Sequence, residues 1–303
     1  MINLSICENE RWHVFLSTFQ YEVFLEVVET GSFTKAGEKL GLTQSGVSHN
    51  ILTLETELGV VLLHRNRNGI SLSDAGERLI PYIRQIIQTA KRLEQEAAFI
   101  QGIEIGTIKI GSFPSFSSKF LPSMIKDFQN IYESIKIELF EGDYGQIKKW
   151  LTQGTIDFGF LPLPIHDFET IPLRKDQLFV FLHDTHPLST IEKLNVTSLQ
   201  NESFIMPKSG CEILVKGLFK EHHIVPNIVF EIEDNLTIIS MVEEEIGLTI
   251  LPELVLPKHF SNTKVIPLEQ EVYREIGLAI KSLKQASPSV KKFIEIVKKN
   301  VTA

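Results

Sequence analysis

The chain has 303 residues, 43% hydrophobic and 22% charged, with a formal net charge of −8. That length supports two or three domains with sizeable cores, and its two distant cysteines, Cys7 and Cys211, argue against a disulfide framework or a cysteine zinc site. No apolar run reaches the roughly 18 residues of a membrane-spanning helix, and residues 1–18, with Glu8 and Glu10, lack the basic-then-apolar layout of a signal peptide. The expected location is therefore cytoplasmic, with no membrane partner. Residues 19–101 hold 8 Lys+Arg against 10 Asp+Glu, so a nucleic-acid role has to rest on where charges sit rather than on bulk charge.

Residues 19–40 read as two short helices. Phe24, Leu25, Val27 and Val28 give the first an apolar face, Gly31 stops it, and Ser32 caps the second, whose Ala36 and Leu40 share a face. Gly41-Leu42-Thr43 is a tight turn, and Thr43 caps a third helix over 44–58. Its buried stripe is Val47, Ile51, Leu54 and Leu58. The opposite face carries Gln44, Ser45, Ser48, His49 and Thr53, with Asn50 nearby, and is polar but nearly uncharged. Residues 60–63 and 70–72 are apolar runs around a polar, glycine-containing tip over 64–69, which predicts a β-hairpin carrying Arg65 and Arg67.

A long helix follows over 74–101, capped by Ser73. Leu79, Ile83, Ile86, Ala90, Leu93, Ala97 and Ile100 repeat at spacings of four and three, a heptad seam. At 1.5 Å per residue the helix is about 42 Å long, and an uncovered seam of that length predicts a second copy of the chain as partner. From residue 106 strands and helices alternate. Strands are expected at 108–110, 135–139, 156–160, 179–181, 203–206, 228–230, 248–251 and 276–280, and helices at 120–131, 146–153, 211–222, 236–244 and 289–300. The alternation predicts α/β sheets with parallel strands, and its two successive sets predict two lobes able to close like a hinged clamp.

Several stretches together resemble the LysR-type transcriptional regulators. They are Gly31-Ser32-Phe33-Thr34-Lys35-Ala36, Leu42-Thr43-Gln44-Ser45, Val47-Ser48, Leu54-Glu55, Leu58-Gly59, Leu63, Arg65 and Leu72-Ser73-Asp74-Ala75-Gly76. His186-Pro187-Leu188 and Gly247-Leu248-Thr249-Ile250-Leu251-Pro252 extend the likeness, which spans residues 19–298. The resemblance implies an all-α winged helix-turn-helix N-terminal domain, a long linker helix, and an α/β periplasmic-binding-protein-like effector domain of two lobes. The expected boundaries are an N-terminal extension at 1–18, the DNA-binding domain at 19–73, the dimerisation helix at 74–105 and the effector domain at 106–303. Within the last, lobe one covers about 106–165 and 270–303, and lobe two about 166–269. The chain departs from the family at Gly37 and Gly46, where alanine is usual, at His64, where an acid is common, and in its longer leader.

On this reading the third helix enters the major groove of promoter DNA. Gln44 and Asn50 suit adenine; Thr43, Ser45, Ser48, His49 and Thr53 suit bases or phosphates; Arg65 and Arg67 on the hairpin meet the backbone or minor groove. The effector is expected in the cleft between lobes, as the resemblance implies. Ser112, Phe113 and Ser115 lie between a strand and a helix start, where hydroxyls and amides suit an anion. Gly142 and Asp143 follow the second strand and Leu161 the third, and Pro207, Lys208 and Ser209 face them from the other lobe. Lys208 points to an anionic effector. Cys211 is read as structural and His222-His223 as a helix end.

The expected partners are double-stranded promoter DNA, a small-molecule effector, and further copies of the chain, forming a dimer through the linker helix and a tetramer through the effector domains. RNA polymerase is a further candidate contact. No cofactor, metal or catalytic residue is expected. A phosphate loop, a His-Glu metal pair and a Gly-X-Ser-X-Gly elbow are all missing from the sequence, so an enzyme, or a stand-alone small-molecule-binding protein, on the α/β half is the alternative reading.

Overall fold

The computed structural model describes residues 17–66, 69–208, 210–257, 259 and 262–301, and the chain divides into two compact units between Glu94 and Gln95. Cys7, Arg67 and Ser209 lie outside the described residues, as does nearly all of the expected N-terminal extension.

The first unit opens with three helices, α1 (Thr18–Thr30), α2 (Phe33–Leu40) and α3 (Gln44–Leu58). Each start is set by a side-chain cap: the hydroxyls of Ser17, Ser32 and Thr43 accept from first-turn amides. Each end is set by a left-handed glycine, Gly31, Gly41 and Gly59, a conformation other residues adopt at a cost. Val23, Phe24, Val27, Ala36, Val47, Ile51 and Leu54 pack into one core. A hairpin follows, β1 (Leu63–Asn66) paired with β2 (Gly69–Leu72), Asn66 opposite Gly69. The strands reach further into the polar stretch than its hydropathy predicts, because an exposed hairpin is held by backbone bonds that side-chain polarity does not disturb. The preceding Val60-Val61-Leu62 stays out of strand.

The helix α4 (Asp74–Ile100) spans 27 residues. Ser73 starts it, accepting from the Gly76 amide at 2.9 Å and donating to the Val61 carbonyl at 2.5 Å. Ile80, Ile83 and Ile87 join the core of the first unit.

The second unit contains β3 (Gly106–Ser112), α5 (Pro114–Ile131), β4 (Ile135–Glu141), α6 (Tyr144–Gln153), β5 (Phe158–Pro162) and β6 (Glu169–His183). It continues through β7 (Ser203–Pro207), α7 (Glu212–Glu221), β8 (Asn227–Ile232), α8 (Asn235–Glu243), β9 (Thr249–Pro252), β10 (Thr263–Pro267), β11 (Tyr273–Ile280) and α9 (Pro288–Val301). The main sheet runs β10-β6-β11-β5-β3-β4, with β9 also on β6; β7 and β8 pair separately. Among the described residues the parallel strand pairs are β3–β4, β3–β5 and β7–β8. The expectation of parallel sheets is corrected at β6 and β11, which run antiparallel to each other and to β10 and β5 respectively. The chain leaves lobe one along β6 and returns along β11, so neighbours in the sheet have opposite directions.

Strand β6 joins the lobes. Residues 169–177 pair with β11, and residues 178–183 with β9 and β10. One core gathers Ile108, Ile110, Phe116, Phe158, Phe160, Leu278 and Phe293. Two others gather Leu178, Val180, Phe204, Met206, Leu248 and Ile250, and Phe181, Ile205, Ile238, Val242 and Leu251. The first core belongs to one lobe, drawing in Leu173 and Leu254, and the other two belong to the second lobe. Strand β10 and residues 169–177 were not expected, since Pro172, Arg174, Lys175 and Asp176 interrupt the apolar pattern.

Candidate functional site

Helix α3 buries Val47, Ile51 and Leu54 and turns Gln44, Ser45 and His49 to solvent. The polar candidates differ in what they have left to offer. Thr43 is committed as a cap: its hydroxyl accepts from the Gly46 amide at 3.1 Å and shares a bond with Ser45 Oγ at 3.0 Å. Asn50 donates its amide to the Gly46 carbonyl at 2.9 Å, and Thr53 its hydroxyl to the His49 carbonyl at 2.9 Å. The bond to Gly46 takes one of the two amide hydrogens of Asn50, and its second N–H and its Oδ1 are the groups a bidentate base contact would use. Ser48 is half-buried on the same helix.

The hairpin is fastened to α3 by a residue that sequence reasoning treated only as a family likeness. Glu55 Oε1 accepts the amides of Leu62 and Leu63, at 2.7 and 3.1 Å. A carboxylate is suited to two adjacent amides, which bond a charged acceptor more strongly than a neutral one. Arg65 lies on β1 opposite Ile70.

The stripe on α4 divides in two. Ile83 is buried in the core of its own chain and Leu79 packs against that core, so the seam available to a partner begins later than expected. Ile86, Leu93 and Ile100 are 42%, 72% and 83% exposed, and Ala97 is exposed as well. Ala90 is half-buried.

In the second unit two of the expected effector residues, Phe113 and Ser115, meet a group the sequence did not single out. Arg274, at the start of β11, donates from Nε to Asp176 Oδ2 at 3.1 Å and from Nη2 to the same oxygen. It also donates from Nη1 to Tyr144 Oη at 2.5 Å and from Nη2 to Ser115 Oγ at 3.3 Å. Its guanidinium lies over the Phe113 ring, 4.8 Å from the centroid, and Tyr144 meets that ring edge-on at 5.2 Å. Asp176 Oδ1 accepts the Leu254 amide at 3.1 Å. Arg274 and Asp176 are both buried.

Burial raises the Asp176 carboxyl above the ordinary range despite its guanidinium partner. Burial pulls Arg274 down, but Tyr144 and Asp176 outweigh it and leave the guanidinium above the usual arginine value. Burial pushes the Tyr144 phenol up to about 12, so it keeps its proton at neutral pH.

This cluster sits where the lobes meet. Gly210, just before α7, has φ +101°, and a Cβ there would run into the Tyr144 ring. Glycine thus lets the backbone of lobe two lie directly on a side chain of lobe one. The remaining candidates are placed as follows. Ser112 is fully buried, and its carbonyl accepts the Gly142 amide at 3.1 Å. Asp143 caps α6, accepting from the Gln146 amide at 2.8 Å. Leu161 is a core residue of lobe one, and Pro207 is buried at the end of β7. Lys208 pairs with Glu231 at 2.9 Å, and this partner holds its ammonium above the ordinary lysine value. The charge that pointed to an anionic effector is therefore already balanced within lobe two.

Cys211 is buried at the N-cap of α7, and His222 ends that helix, its Nε2 3.0 Å from Gln270 Oε1. Among the described residues no group of His, Cys, Asp and Glu is arranged to hold a metal ion, and no helix is long and apolar enough to cross a membrane. Arg274 had one legible signal: it shares its phase on β11 with Ile276, an inward-facing position where a charge is unusual.

Comparison with known proteins agrees with both halves. Residues 19–77 match the family described as bacterial regulatory helix-turn-helix protein, lysR family, and residues 101–302 match the LysR substrate binding domain. The HTH-type transcriptional regulator YvbU of Bacillus subtilis (strain 168) is 38% identical over 285 residues, 92% of this chain and 97% of its own length. Full-length OxyR of Pseudomonas aeruginosa, with a cysteine replaced by aspartate, superposes with a TM-score of 0.78 at 18% identity, covering 95% of each chain. CbnR complexed with its target DNA superposes with a TM-score of 0.64 at 23% identity, covering 94% of this chain and 100% of its own. A helix-turn-helix head followed by a two-lobed α/β domain, matched along nearly the whole length, places this chain in the LysR family of transcriptional regulators.

Proposed function

We propose that this protein binds promoter DNA in the cytoplasm, as at least a dimer, and changes that binding when a small molecule enters the junction between its two lobes. The observation that carries the reading is α3, which buries Val47, Ile51 and Leu54 while offering Gln44, Ser45 and His49 to solvent. A helix of that kind, started by a capped turn, reads base edges in a major groove. Ser48, Asn50 and Thr53 lie along the same helix, and Arg65 and Arg67 steady the hairpin on phosphates without specifying sequence.

Dimerisation uses the uncovered part of α4, from Ile86 through Leu93 and Ala97 to Ile100, where paired seams would remove apolar surface from water. Effector domains of two dimers join into a tetramer, and the assembled complex contacts RNA polymerase. The ligand acts by binding rather than by being transformed. Ser112, Phe113, Ser115, Gly142, Asp143 and Leu161 would meet the ligand from lobe one and Pro207 and Lys208 from lobe two, with Ser209, outside the described residues, a further candidate. A ligand that fits one lobe angle better than another shifts the population by that difference in affinity alone.

The test is binding of the purified chain to DNA from upstream of its own gene, against a scrambled duplex, across a salt series. Sequence-selective binding that weakens with salt and is lost in the Ser48→Ala, Arg65→Ala double variant supports the reading. A folded dimer that binds neither duplex at any salt overturns it.

A further inference from the structure

The junction between the lobes holds a charge that is already spent. Arg274 directs Nε and Nη2 to Asp176, Nη1 to Tyr144 and Nη2 to Ser115, so four of its five N–H groups are engaged and every nitrogen has a partner. Asp176 supplies one full negative charge against it, and the Leu254 amide satisfies the second carboxylate oxygen. Lys208, the cation expected to serve from lobe two, pairs with Glu231. Ser115 and Tyr144 each accept from the guanidinium and keep an O–H of their own to donate. Both hydroxyls are polarised by the positive group behind them.

An anion brought here would leave water for a site whose positive charge is cancelled by Asp176. Desolving a carboxylate costs several kcal/mol unless an unspent counter-charge receives it. A carbonyl or hydroxyl oxygen incurs far less on desolvation and receives the same two O–H donors. We infer that the interlobe site takes an uncharged, oxygen-bearing ligand through Ser115 and Tyr144, and that Asp176 is the specificity-determining residue that turns carboxylates away. This inference rests on the reading of the lobe junction as the effector site.

The test uses the full-length chain and two pairs of matched probes, benzamide with benzoate and acetamide with acetate, titrated calorimetrically at constant ionic strength. The wild type is expected to bind each amide at least as tightly as its carboxylate. Asp176→Asn, which keeps the side-chain shape and removes the counter-charge, is expected to shift the ratio towards the carboxylate by at least about tenfold. Ser115→Ala is expected to weaken every probe. A wild type that prefers the carboxylates with Ser115-dependent binding overturns the charge assignment and leaves the cleft as the site. Binding of the probes that is indifferent to Ser115→Ala overturns the cleft reading itself. A folded Asp176→Asn variant with no gain for carboxylates overturns the role given to Asp176, and where that variant does not fold the wild-type ranking decides.

Discussion

Arg274 and Asp176 stand 98 positions apart in the chain and are bound to each other by two of the guanidinium nitrogens, both side chains out of water. The pair ties β11 to β6 at the point where β6 passes from one lobe's sheet to the other's. Removing one partner strands a buried charge, whereas removing both does not. Asp176→Ala is expected to lower stability by about 3–5 kcal/mol, and the Asp176→Leu, Arg274→Met double variant by clearly less. Urea unfolding of the two variants checks this; equal losses would mean that the pair is not coupled.

The Tyr144 phenol carries a pH dependence with a definite sign. Its folded value is raised by burial from 10.0 to about 12. Above pH 10 the unfolded chain releases this proton while the folded chain keeps it, so stability falls as pH rises towards 12. The stabilisation is fully present below pH 10, and a two-unit shift corresponds to about 3 kcal/mol. Tyr144→Phe should therefore lose less stability than the wild type between pH 9 and 11.5, measured by denaturant unfolding at each pH.

Glu55 is expected to hold the hairpin against α3. Glu55→Ala leaves the Leu62 and Leu63 amides without their acceptor and should cost about 1–3 kcal/mol. Glu55→Gln keeps an acceptor oxygen and should cost less. Thermal unfolding reads the stability, and promoter binding reads the consequence, which is weaker affinity as the hairpin loses its fixed position.

The exposed stripe of α4 predicts an oligomer that charge disrupts. Leu93→Glu together with Ile100→Glu places carboxylates at positions 72% and 83% exposed in the single chain. The fold of each chain should survive, since neither side chain belongs to a core, while sedimentation should shift to the monomer. Unchanged sedimentation would move the interface elsewhere.

The head was legible because its signals are local. Capping hydroxyls at Ser32 and Thr43, stops at Gly31 and Gly41, and the stripe of Val47, Ile51 and Leu54 each act within a few residues, and the helices fall where those signals put them. The heptad stripe on α4 was legible as a pattern but not as a division of labour. Whether Ile83 faces a partner or its own core depends on what the three preceding helices leave uncovered. The cleft candidates Ser115 and Phe113 could be named from a strand–helix boundary, yet what they touch could not.

By itself, the sequence determined the helices of the head and their caps, the polar face of α3, and most of the alternating strands and helices of a two-lobed α/β half, because capping, periodicity and turn chemistry are encoded within a turn or two of the chain. Only the tertiary structure decided that β6 and β11 run antiparallel, that Gly210 lies on the Tyr144 ring, and that Arg274 meets Asp176, Tyr144 and Ser115. The physical reason is that a buried charge is tolerated only where distant strands bring it a counter-charge and acceptors, and no local pattern records which strands those will be.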